Sequence, residues 1–153
     1  MSESRQLIVF TLDEQRYALH LSAVERTVRM VEITPLPQAP QIVLGVINCQ
    51  GKVIPALNVR RRFRLPEREP GLGDQLIIAR AAGRVVALVA DTVSDVVTPP
   101  SEVMDAADTI LPRMEYVEGV VKFADGMIFI HDLDTFLSLE DEQALDAALE
   151  DNA

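Results

Sequence analysis

The chain has 153 residues, 48% of them hydrophobic, enough for one compact domain, or two small ones sharing a core, without disulfide or metal. A formal charge of −10 repels nucleic-acid phosphates and anionic lipid headgroups, and an aromatic content of 5% with no tryptophan leaves few base-stacking platforms, so no nucleic-acid partner is expected. The single cysteine, Cys49, cannot form an internal disulfide and fits a reducing compartment. From the N-terminus, the apolar run at 7–10 is broken by Asp13 and Glu14, too early for a signal-peptide core. The later run VVALVA at 85–90 is far short of a membrane span, so a cytoplasmic protein without membrane insertion is expected.

Glycine, proline and charged pairs cut the chain into strand-length apolar runs. Strands are expected at 7–12 and 16–21, joined by Asp13-Glu14-Gln15, and again at 24–31, before Pro35, Pro37 and Pro40 forbid regular structure. A hairpin follows at 45–50 and 52–58 about Gly51, then a short helical turn at 59–63 and a loop at 66–74. Strands resume at 75–80 and 84–97, joined by Ala81-Ala82-Gly83, and residues 98–115, with Pro99, Pro100 and Pro112, read as an irregular crossover. The last hairpin, 117–124 and 127–130, turns at Asp125-Gly126 and leads into helical 132–137 and an acidic helical tail. Ser138 with Asp141 resembles a capping box, and Leu139, Leu145, Ala148 and Leu149 are expected to form the apolar face of the tail.

The pattern occurs twice. Shifted by 69 residues, Leu7-Ile8-Val9 falls on Leu76-Ile77-Ile78, Ala18-Leu19 on Ala87-Leu88, and Val24 and Val28 on Val93 and Val97. Shifted by 74, Gly45-Val46 falls on Gly119-Val120 and Asn58-Val59 on Asp132-Leu133. Two segments matching in the same order predict an internal repeat, 7–63 and 76–137. These would be two β-units packed on each other, because neither buries enough apolar surface alone. Five short strands per unit predict small closed barrels, which leave few open edges.

No catalytic constellation emerges. His20 lies in a strand and His131 at a strand end, far apart in sequence, and each reads as a half-exposed or satisfied histidine. His131, Asp132 and Asp134 lack a second histidine at ligand spacing, so no metal is expected. Cys49 alternates with Ile47, which favours a buried thiol. Asp91 and Asp95 flank a strand end and read as turn residues. Gly71-Leu72-Gly73 has no phosphate-binding helix after it, and no serine has nucleophile-elbow context. Arg60, Arg61, Arg62 and Arg64, with Lys52 and Arg68, read as a solvated helical face. What remains is surface: Val24, Val28, Val93 and Val96 are core or line a groove between the units.

The stretches LIVFTLDEQRYALHL, TPLPQAPQIVLGVINCQGKVIPALNVRRRF, GRVVALVADTVSDVV and YVEGVVKFADGMIFIHDLDTFL, in this order, resemble the CheW family of chemotaxis coupling proteins over residues 6–139. The resemblance implies a mainly β fold of two packed five-stranded SH3-like barrels, with short helices and a C-terminal helix over the tail at 140–153. It implies no enzymatic activity and no cofactor. The implied role is an adaptor joining the regulatory domain of a CheA-type histidine kinase to the cytoplasmic tip of chemoreceptors (methyl-accepting chemotaxis proteins). Carried over position by position, the receptor groove would include Val24, Gly45, Val93 and Val96, and the kinase face Leu21, Leu44 and Val53 on the first barrel. Many family members pair a glutamate with an arginine near the receptor groove; here those positions are Arg26 and Gln50. Lost pairing with a reversed charge predicts altered partner specificity rather than a damaged fold. Two alternatives stand beside the adaptor. One is a module that binds the kinase without bridging to a receptor; the other is a small-molecule sensor or enzyme using the inter-barrel groove with Asp91, Asp95 and His20.

Overall fold

A computed structural model describes residues 6–63, 65–81, 83–98, 104–106, 117–123 and 126–151. Arg64, Asp125, the side chains of Arg62 and Asp95, and most of the expected 98–115 crossover lie outside the described residues. The strands are Leu7–Leu12 (β1), Gln15–His20 (β2), Val24–Arg29 (β3), Val43–Cys49 (β4) and Lys52–Leu57 (β5). Then come Gln75–Ala81 (β6), Arg84–Ala90 (β7), Thr92–Val97 (β8), Met104–Ala106 (β9), Val117–Phe123 (β10) and Gly126–His131 (β11). The helices are Val59–Arg62 (α1) and Leu139–Asp151 (α2), with 3₁₀ turns at Leu21–Ala23 and Leu133–Thr135. Among the described residues no helix is long and apolar enough to cross a membrane.

The strands form a six-stranded sheet, β8-β1-β2-β11-β10-β9, and a five-stranded sheet, β3-β6-β7-β5-β4. The five-stranded sheet is thus built from the consecutive strands β3–β7, whereas the six-stranded one joins β1 and β2 to β8–β11 from the later part of the chain. The expected single strand at 84–97 is two strands in different sheets. It breaks at Asp91, whose amide donates to Thr11 O (3.0 Å) and carries the chain from β7 across to β1. A six-stranded sheet replaces one of the two expected five-stranded ones because β9, inside the expected irregular crossover, adds an edge to β10. In the five-stranded sheet, Thr34 pairs with Val46 through two 2.8 Å hydrogen bonds, drawing the chain beyond β3 onto the far edge strand β4. That bridge closes the sheet on itself.

The two sheets share one register plan. Ile8 faces Val96 in one and Ile77 faces Thr27 in the other, the same pair displaced by 69 positions. Even the irregularities recur. The register of β1 shifts against β8 between Ile8 and Phe10, and that of β3 shifts against β6 between Val24 and Arg26. The break in β4 between Val43 and Gly45 recurs in β10 between Val117 and Gly119. Bulges bend a strand and increase its twist, so matched bulges curl both sheets alike.

Three clusters form the core. Leu7, Val9, Ala18, Val121, Ile128 and Ile130 fill the six-stranded barrel. Leu76, Ile78, Ala87, Ile47, Ile54 and Ala56, at the corresponding six positions, fill the five-stranded one. Between them lies a larger central cluster with Ile8, Phe10, Leu12, Tyr17, Ile77, Ala79, Ala81 and Val86. Side chains alternate along a strand, so Leu7 and Val9 point into a barrel while Ile8, Phe10 and Leu12 point to the neighbouring barrel. Burial on both faces is why β1 and β6 read as unbroken apolar runs. The seam is not symmetric: Phe10, Leu12 and Tyr17 on the six-stranded side oppose Ala79, Ala81 and Val86.

Helix α2 closes one side of the central cluster through Leu145 and Leu149, and its Ala148 is buried as well. Ser138 Oγ accepts from the Asp141 amide (3.0 Å) and the Ser138 amide donates to Asp141 Oδ2 (3.2 Å), the expected capping box. Leu139, expected on the apolar face, is 71% exposed. Six helical positions rotate it about 240° away from Leu145, onto the solvent side.

Candidate functional site

Two features stand out on this scaffold: an ionic hub where the chain changes sheets, and an apolar groove beside it. The hub begins with Arg60, which follows β5 on α1 and is buried despite its charge. Its Nη2 contacts Asp13 Oδ1 (2.8 Å) and both oxygens of Asp91 (2.8 and 2.9 Å), and its Nη1 donates to Pro66 O (2.9 Å). Arg68 grips Asp74 with both Nη atoms (2.9 and 2.8 Å) and reaches Asp91 Oδ1 at 2.6 Å. Of the basic cluster expected to be a solvated face, Arg60 and Arg68 are thus engaged internally. Arg61 also pairs, with Glu67 at 2.8 Å and with Gln41. Asp91 is no mere turn residue. It accepts from two guanidiniums and from the Asp13 amide (2.9 Å).

That amide belongs to a two-residue turn in which Asp13 and Glu14 have φ of 49° and 71°, a left-handed conformation normally left to Gly or Asn. The Asp91 and Arg60 contacts hold the turn there. Burial pushes the Asp91 carboxyl up, but the Asp13 amide and the Arg60 and Arg68 guanidiniums outweigh it and hold it below the usual carboxylate range. Asp74 behaves alike: burial raises it, and Arg68 and the Gly71 amide bring it below the usual value.

The groove, of about 700 Å³, runs between the 30–35 segment and the 69–72 loop with Leu44 in its lining. Met30, Val31, Ile33 and Pro70 supply apolar surface, and Glu32 and Glu69 supply negative charge. Leu72 is 95% exposed there. A solvated leucine beside an apolar groove is the kind of feature that docking covers.

The positions singled out in the sequence fall into three groups. Val24 on β3 and Val93 on β8 are half-buried against the central cluster, as is Leu21 on its 3₁₀ turn. Arg26 and Val96 are exposed on β3 and β8, and Gln50 is exposed in the β4–β5 turn with φ of 53°. Leu44 lines the groove, whereas Val53, 64% exposed on β5, is absent from its lining. Gly45 is buried, and a Cβ there would meet Thr34 O at 2.3 Å, so the glycine admits the barrel-closing bridge. The 66–74 segment was expected as a loop, but neither it nor Leu72 was singled out as part of a site. The pairing of Pro70 and two glycines with Asp74 was the available signal of an anchored loop.

His131 also departs from expectation. It is neither half-exposed nor satisfied: it is buried, and neither ring nitrogen finds a hydrogen-bond partner among the described residues. Phe63 stacks on it with centroids 4.2 Å apart, and Tyr17, Phe10 and Phe136 complete the cage at 4.8, 5.1 and 5.2 Å. The corresponding residue 74 positions earlier is the buried Leu57. Replacing His131 by Leu is therefore expected to stabilise the fold by about 1 kcal/mol, since two unpaired buried polar atoms disappear. Burial holds the imidazole pKa well below its ordinary 6.5. Below that pH the unfolded chain binds a proton that the folded one does not, so the wild type loses stability on acidification from about pH 6.5. Urea melts of both proteins at pH 8 and pH 5 check this; a gap that fails to widen at pH 5 contradicts it.

The fold and its site define a class: a two-barrel β module with an accessible apolar groove and with its central carboxylates occupied by ion pairs. Among the described residues no three His, Cys, Asp or Glu side chains are grouped to hold a metal. Residues 6–141 match the model of the CheW-like domain, and the chain belongs to that family. It is 32% identical to the chemotaxis protein CheW of Rhizobium meliloti (strain 1021) over 142 residues, covering 92% of each chain. It is 27% identical to a probable chemotaxis protein CheW of Rhizobium etli, again over 92% of each. The crystal structure of the scaffolding protein TtCheW from Thermoanaerobacter tengcongensis is similar with a TM-score of 0.80 at 28% identity. That match covers 90% of this chain and 95% of the other.

Proposed function

We propose that the protein is a non-catalytic adaptor that joins a CheA-type histidine kinase to the cytoplasmic tips of chemoreceptors. What carries the reading is the match to the CheW-like domain over 6–141, together with a scaffolding protein of the same fold. The kinase regulatory domain occupies the groove at Leu44 and also meets the exposed Val53 on β5, with Leu21 half-buried against the central cluster. A groove flanked by Glu32 and Glu69 favours an entering surface that presents apolar side chains beside basic ones. The receptor tip docks at the seam of the barrels, where Val24 and Val93 underlie the exposed Arg26 and Val96. Residues 7–63 and 76–137 are two copies of one repeated unit, and the protein acts in the cytoplasm.

A second reading draws support from Arg26 and Gln50, both exposed. With the family's usual Glu/Arg pair replaced, the chain binds the kinase while its receptor contact is weakened. Titration calorimetry against the kinase regulatory domain and a receptor-tip fragment, separately and together, decides between them. A ternary complex is the adaptor result. Kinase binding alone, restored to ternary binding by Arg26→Glu with Gln50→Arg, favours the second reading, and binding to neither overturns both.

A further inference from the structure

The ionic hub and the groove share a wall. Loop 66–74, with Pro66, Pro70, Gly71 and Gly73, has no helix or strand among its residues to stiffen it. It is held instead by polar contacts, beginning with Glu67, which accepts from Asn58 Nδ2 and Arg61 Nη1 (both 2.8 Å). Pro66 O accepts from Arg60 (2.9 Å), and Glu69 O accepts from Arg68 (3.3 Å). The Gly71 amide donates to Asp74 Oδ2 (2.8 Å) while the Asp74 amide donates back to Gly71 O (3.1 Å). The Arg68 fork clasps the buried Asp74 and extends to Asp91. Asp91 in turn belongs to neither sheet alone: it follows β7 of one and precedes β8 of the other. Leu44 and Pro70, which face the groove, also line a small void of about 10 Å³ with Arg60, Arg68 and Asp74. The charged groups thus lie directly behind the groove's apolar lining.

We propose that Arg68 is a positioning residue for the partner in the Leu44 groove, fixing the 69–72 wall and Leu72 in the frame of both sheets through Asp74 and Asp91. The inference rests on the reading that this groove receives the kinase regulatory domain. A wall fixed before contact loses little freedom on binding; an untethered one must be ordered by the partner, which weakens association. Arg suits the task because its planar fork satisfies one carboxylate with two bonds and still reaches a second. At 41% side-chain exposure it can be replaced without leaving a large buried cavity.

The test is a double-mutant cycle read by titration calorimetry against the kinase regulatory domain. Leu72→Ala and Arg68→Met are each expected to weaken binding about tenfold. If Arg68 acts by placing Leu72, the double variant is also weakened about tenfold rather than about a hundredfold. A product of the two single effects overturns the proposal, as does unimpaired binding by Arg68→Met. Binding by the wild type that Leu72→Ala leaves unchanged overturns it too, while the adaptor reading stands. Failure of the wild type to bind the kinase domain overturns both. Melting curves accompany each variant. Should Arg68→Met not fold, Arg68→Lys, which keeps the charge without the fork, enters the same cycle with the same expected non-additivity.

Discussion

Asp91→Ala is expected to destabilise the protein by about 2–3 kcal/mol at neutral pH, the largest loss at any single charged position of the hub. The substitution strips Arg60 of two contacts and Arg68 of one, and leaves the Asp13 amide without its acceptor. Removing one member of a fully buried pair costs about 3–5 kcal/mol. The lower figure holds here because Asp91 is 23% exposed and because Arg60 keeps Asp13 while Arg68 keeps Asp74. The strained turn at Asp13 and Glu14 also loses its brace.

Asp91→Asn separates shape from charge. It retains one oxygen acceptor and is expected to cost about half as much, since only the charged component of the bonds is lost. The pH dependence has a definite sign. The folded carboxyl ionises below its ordinary value, so its stabilising contribution is complete above about pH 3.8 and is lost as pH falls through the folded value. Wild type and Asp91→Asn should converge in strong acid. Urea melts across that range measure the gap; a constant difference from pH 7 to pH 2 is incompatible with this account.

Gly45→Ala is the second large effect, about 3 kcal/mol. The added methyl would lie 2.3 Å from Thr34 O and 2.9 Å from Ile33 Cγ2. The nearest atom is backbone oxygen, which cannot rotate aside as a side chain would, so the loss sits at the upper end for overpacking. Relief requires moving the 33–34 segment, and that breaks the two hydrogen bonds to Val46 that close the five-stranded barrel. Because Ile33 and Pro35 also line the groove, partner affinity should fall in the same variant. Thermal melts with calorimetry check both. A variant that melts like the wild type shows that the strand adapts and that the bridge does not need glycine.

The elements were legible where local chemistry decides them. Alternation and turn residues place β1, β2, β4, β5, β6 and β11 to within two residues, and the Ser138–Asp141 pair marks the start of α2. Where the apolar pattern runs on, sequence misleads. Nothing in VVALVADTVSDVV distinguishes a polar residue in a long strand from one at which the chain changes sheets, because the decisive partners, Thr11, Arg60 and Arg68, are distant in sequence. The barrel to which each strand belongs is likewise a tertiary matter. Parallel contacts such as Ala18 with Ile130 and Ala56 with Ala87 join segments that sequence order places far apart.

At the site, apolar positions carried over from the family pattern fall on both core and surface, for alternation alone does not say which face of a doubly buried strand meets a partner. Arg60 was misread because a run of arginines announces charge and not the distant carboxylates, Asp13 and Asp91, that pair with it. His131 was misread because no local signal marks a histidine occupying a leucine's place.

The insertion of the five-stranded sheet between two groups of strands of the six-stranded one also governs how the chain matures on the ribosome. When residue 63 has emerged, β1 and β2 still lack β8, β10 and β11, and β4 and β5 lack β6 and β7. Neither compartment can seal during synthesis of the first half, and the six-stranded one stays open until β11 is made. A nascent chain stalled before β11 leaves Leu7, Val9 and Ala18 without Ile128 and Ile130 to cover them, so synthesis through β11, rather than of the first half, is the event that shields this apolar surface.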